Sequence, residues 1–109
     1  MSPRDAIRDA SAVLNRAGFV SINPPTGFLD HVAPALWAAG PKLRAAEIRP
    51  DDRERTEALA VALMRASRAF VAFAPCLRAM GDPEGAAEFS AVASALHESA
   101  RGLMAPRHA

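Results

Sequence analysis

The stretch Asp51–Met80, DDRERTEALAVALMRASRAFVAFAPCLRAM, decides the fold. Leu59, Leu63, Ala66, Phe70, Phe73, Leu77 and Met80 recur at alternating spacings of four and three. That period places them on one face of an α-helix, the face that a helical bundle buries. Asp51 with Glu54 three residues on reads as a capping box, and Asp52 adds negative charge at the positive end of the helix dipole. The spacing predicts a helix over 51–79, kinked near Pro75, where the imino nitrogen leaves the Val71 carbonyl without its helical donor.

A second apolar set, Val61, Met64 and Val71, lies off that seam. A helix apolar on more than one side is either central in its bundle or turned toward a partner. Arg65 and Arg68 stand beside this set, and arginine next to apolar residues is a frequent interface composition. Val61, Met64, Arg65, Arg68 and Val71 are therefore the candidate interface. Trp37, the single tryptophan, joins them because tryptophan anchors interfaces when it is exposed.

Outward from this helix, Gly81-Asp82-Pro83-Glu84 reads as a stop and a start: a glycine C-cap, an aspartate N-cap, and a proline in the first helical position. The helix that follows is expected over 83–104, with Phe89, Val92, Ala93, Leu96, Ala100 and Leu103 as its seam. Ser90, Ser94, His97 and Arg101 form its polar side, with His97 expected as a partner of Ser94 or Arg101. Residues 105–109 read as a frayed tail.

On the N-terminal side, Ser2, Pro3 and Asp5 open a helix expected over 3–17, carried by Ile7, Ala10, Val13, Leu14 and Ala17 and ended by Gly18. Residues 18–27, GFVSINPPTG, read as non-helical because consecutive prolines hold the chain extended. Phe19, Val20 and Ile22 make that segment a packed connector or a lid. Residues 28–48 read as a broken helix pair, with Pro34 at a kink or in a first turn and a break near 40 at Gly40-Pro41. The fold class is thus all-α, a compact bundle of four main helices in one domain, 1–109.

Composition narrows function more than it names it. Half the chain is hydrophobic, yet alanine supplies 26 of those residues, so the larger apolar side chains make only a few seams. Thirteen basic and twelve acidic residues nearly cancel, which removes the basic footprint of a nucleic-acid binder. The arginine-for-lysine skew reads as the mark of a GC-rich genome. The longest unbroken apolar run, Ala69–Leu77, is nine residues, short of the roughly 20 that a membrane helix needs. A lone cysteine forms no intrachain disulfide, and the N-terminus lacks a signal-type apolar core, so a cytoplasmic location is expected.

Catalytic and metal-binding signatures are missing. There is no phosphate-binding glycine loop, no nucleophile elbow and no Glu-x-x-His spacing, and the three histidines have no ligand partner four residues away on a helix face. No metal, cofactor or catalytic residue is assigned, and the balance leans away from an enzyme. Cys76, set among Phe73, Leu77 and Met80, reads as a small packed hydrophobe. The expected function is a small helical interaction or regulatory module that associates with itself or with another protein. The alternative is a small-molecule-binding or enzymatic bundle, with an apolar cleft near Trp37, Phe70, Phe73 and Cys76.

Overall fold

The computed structural model describes residues 2–20 and 31–105, with side-chain surroundings from residue 31 onward and for residues 2–16. The expectations for 21–30 and 106–109 lie outside the described residues. Four helices make up what is described: α1 (Pro3–Val20), α2 (Ala33–Ile48), α3 (Arg53–Ala79) and α4 (Pro83–Met104), with no strand among the described residues. Each helix packs on two others, α1 on α2 and α4, and α3 on α2 and α4, which closes a four-helix bundle. Its extents are 49 × 22 × 17 Å.

The core is the seams meeting. Leu59, Leu63, Ala66, Phe70, Phe73 and Leu77 of α3 are buried with Phe89, Val92, Ala93, Leu96 and Ala100 of α4. Phe89 packs against two other phenylalanines, with ring centroids 4.8 Å from Phe70 and 5.8 Å from Phe73. Such tilted pairs add to plain area burial. Alanines 6, 10, 33, 39, 60, 66, 86 and 93 are buried beside them and let the backbones approach closely. Where α3 and α4 come together, Ser67 is buried and its hydroxyl donates to the Ala93 carbonyl at 2.7 Å.

The ends of α3 and α4 follow the caps. Asp82 accepts from the Gly85 amide at 2.9 Å, and Pro83 opens α4. At the end of α3 the Asp82 amide donates to Leu77 O and the Gly81 amide to Arg78 O. This Schellman pairing needs a left-handed residue, and Gly81 supplies it at φ +87°.

Four local expectations are corrected. The N-cap of α3 is Asp52 and not Asp51: its carboxylate accepts from the Glu54 and Arg55 amides, so the helix opens at Arg53. Met80 leaves the seam because it is the C-cap, beyond the last helical turn, and is exposed. Helix α1 runs through Gly18 to Val20, so residues 18–20 are helical. Helix α2 does not break at Gly40-Pro41 but continues to Ile48 with Pro41 inside it. Pro41 is exposed, so the carbonyl it deprives, that of Trp37, lies on the solvent side where water can satisfy it. Pro34 sits in the first turn of α2, the second of the two placements open to it.

Helix α3 is also the one described helix whose length and composition would suit a membrane crossing, with mean hydropathy 1.4 over its richest window. Counting unbroken runs misses this, because alanine and valine offset Arg65 and Arg68 in the average. Of that window 44% is buried inside the bundle.

Candidate functional site

The candidate surface is the side of α3 turned away from the other helices. Its orientation follows from contacts at either edge. Ser67 reaches α4 through Ala93, while Arg55 reaches α2, donating to the Ala45 carbonyl at 3.1 Å. At about 100° per residue, Val61, Arg65 and Arg68 then fall opposite the buried seam, and Met64 and Val71 fall on the edge next to α4.

Exposure agrees with that placement. Val61 is 50% exposed and Val71 56%, while Met64 is half-buried and packs against the core. Arg65 and Arg68 are exposed, and neither makes an ion pair or hydrogen bond among the described residues. The other long-range ion pairs hold α1 in place. Arg4 forms a two-pronged pair with Glu47 of α2, one contact at 2.9 Å, and Arg16 meets Glu88 of α4 at 2.8 Å. The Arg4 guanidinium is held above its ordinary pKa by the Glu47 hydrogen bond and charge. So the arginines of the candidate surface stand apart from those that stitch the helices together.

Trp37 is not part of this surface. It is 64% exposed on α2, about 100° round from buried Leu36. Glu47, on that same flank of α2, pairs with α1. Trp37 therefore lies on the α1 side of the bundle and Val71 on the α4 side, with the core between them. Pro41, Arg44 and Ile48 continue the Trp37 face at helical spacing, and all three are exposed.

The four residues named for a cleft are not brought together. Phe70 and Phe73 are buried against Phe89, while Trp37 and Cys76 are on the outside. The expectation that Cys76 packs as a core hydrophobe is corrected by its exposure. Cys76 precedes Leu77 by one residue and follows Phe73 by three, which turns it past the edge of the buried arc. His97 is half-buried, and its expected pairing with Arg101 is replaced by an Arg101–Glu98 contact at 3.9 Å. No group of three or more His, Cys, Asp or Glu residues is placed to hold a metal among the described residues.

The sequence pattern gives the start of α3 only a capping role. There Arg53 pairs with Glu57 at 3.0 Å and Arg55 with Asp52 at 3.5 Å. The capping role misses that Glu54 and Glu57 share the outward side of the helix with Val61, Arg65 and Arg68. The signal was available in the spacings, which place all five on one face. A search of protein-family models, curated proteins and solved structures returns no match to this chain.

Proposed function

We propose that this chain is a small helical interaction module that works by associating with a second copy of itself through the outward side of α3, with no chemical step assigned to it. The observation that carries this reading is Val61, half exposed beside half-buried Met64, on a helix whose other side already fills the core. Beside them are two arginines with no partner within the described chain. A face of this kind gains from being covered: burial of apolar surface contributes about 25 cal/mol per Å², and arginine is among the residues most used at interface centres.

Light scattering over a concentration series tests it. The expected result is a mass that rises from 11.5 kDa toward twice that value as the concentration passes through about 10–100 μM, a range suited to a small interface. A mass fixed at the monomer up to about 500 μM, well past that range, would remove the reading.

A further inference from the structure

The next step rests on the self-association just proposed and adds its orientation. Along the outward side of α3 the charges are divided about Val61. Glu57 stands four residues before it and Arg65 four after; Glu54 stands seven before and Arg68 seven after. Four and seven are spacings that keep residues on one side of a helix, so the opposite charges stand at equal distances either side of Val61 along a single face.

We propose that two copies pair antiparallel along this face with the two-fold axis at Val61. Such an axis makes the contact self-complementary, each pair occurring twice. Glu54 then faces the partner's Arg68, Glu57 reaches the partner's Arg65 diagonally across the seam, and the two Val61 side chains meet at the axis. The acidic groups are available for this. Arg53 holds only the Oε1 atom of Glu57, and the Glu54 side chain has no partner among the described residues.

Charge also rejects the competing arrangements. An axis midway between Val61 and Val71 matches more apolar surface, but it gathers Arg65 and Arg68 of both copies within three residues of the axis. A parallel pair sets each arginine beside its own counterpart. Like charges facing one another are unfavourable, so of these three arrangements the Val61-centred antiparallel register alone gives both arginines a carboxylate. The matched face, residues 54–68, is about 21 Å long at 1.5 Å per residue. That is a small interface, and the pairing is weak and salt-sensitive.

Two measurements test the register. In the first, R65E/R68E and E54R/E57R chains are studied separately and mixed one to one, with thermal melts by circular dichroism to verify that each folds. Each variant alone is expected to dimerise about tenfold or more weakly than the unaltered chain, and the mixture to return within about threefold of it. In the second, the lone Cys76, which is exposed, carries a nitroxide label on the otherwise unaltered chain, and the distance between labels is read by pulsed electron resonance. The Val61-centred pair places the two Cys76 positions about 45 Å apart; the axis nearer Val71 gives about 30 Å, and the parallel pair about 10 Å. A dimer with either shorter distance, or one whose mixed variants do not recover, overturns this register and leaves self-association standing. A chain that stays monomeric overturns both.

Discussion

Single residues set the ends and the tightest contact of this bundle. Asp82 holds the Gly85 amide at 2.9 Å, and Asp82→Ala is expected to cost about 1 kcal/mol in urea denaturation, as an N-cap loss does. Gly81 sits at φ +87°, so Gly81→Ala is expected to cost a similar amount, about 1 kcal/mol, for a Cβ in the left-handed region. Both roles were legible in the sequence, because cap chemistry is local and does not depend on what packs nearby. Ser67 is different. Nothing in its surroundings along the chain marks it, yet its hydroxyl bonds Ala93 across the α3–α4 contact. Ser67→Ala should lose about 0.5–1.5 kcal/mol, whereas Ser67→Leu should lose more, because the close approach leaves no room for added volume. Cys76 erred the other way: one residue of rotation moves a side chain about 100°, enough to carry a cysteine flanked by seam residues to the surface.

At the scale of elements, the apolar period located all four helices, and the errors fell where proline or glycine suggested a stop. Gly40-Pro41 does not end α2, since Pro41 faces solvent and the core face of Leu36, Ala39, Leu43 and Ala46 holds the helix together across it. Packing outweighed propensity there. Pro41→Ala is therefore expected to stabilise the protein by about 1–3 kcal/mol in thermal or urea melts, restoring a backbone hydrogen bond on an exposed turn. Gly18 likewise yields to helix, with α1 continuing to Val20. The outward side of α3 was only half legible. Val61, Met64 and Val71 were identified as surplus to one seam. Whether that surplus fell inside or outside depended on which neighbours flank α3, and that is a tertiary fact.

For the whole molecule, charge and shape act together. The four helices close on a core of buried phenylalanine, leucine and many alanines, and the side of α3 away from that core keeps valine and arginine in solvent. Phe70, fully buried, belongs to the core alone, so Phe70→Ala should cost about 3–5 kcal/mol, enough to unfold much of a chain this size. Raising salt from about 50 mM to 500 mM should leave the fold intact and weaken self-association, because exposed charges are screened beyond a few ångströms at that strength. Fold class was readable from period and caps. The proposed partner surface was not, since Trp37 and Val61 look equally available in sequence and the bundle sets them on different faces.

Sedimentation equilibrium on Val61→Lys beside Trp37→Lys separates those two sides most directly. A lysine at Val61 should hold the chain as a monomer while a lysine at Trp37 leaves the unaltered dimerisation in place. A Val61→Lys chain that still dimerises, or a Trp37→Lys chain that falls apart, would contradict the assignment of the partner surface to α3.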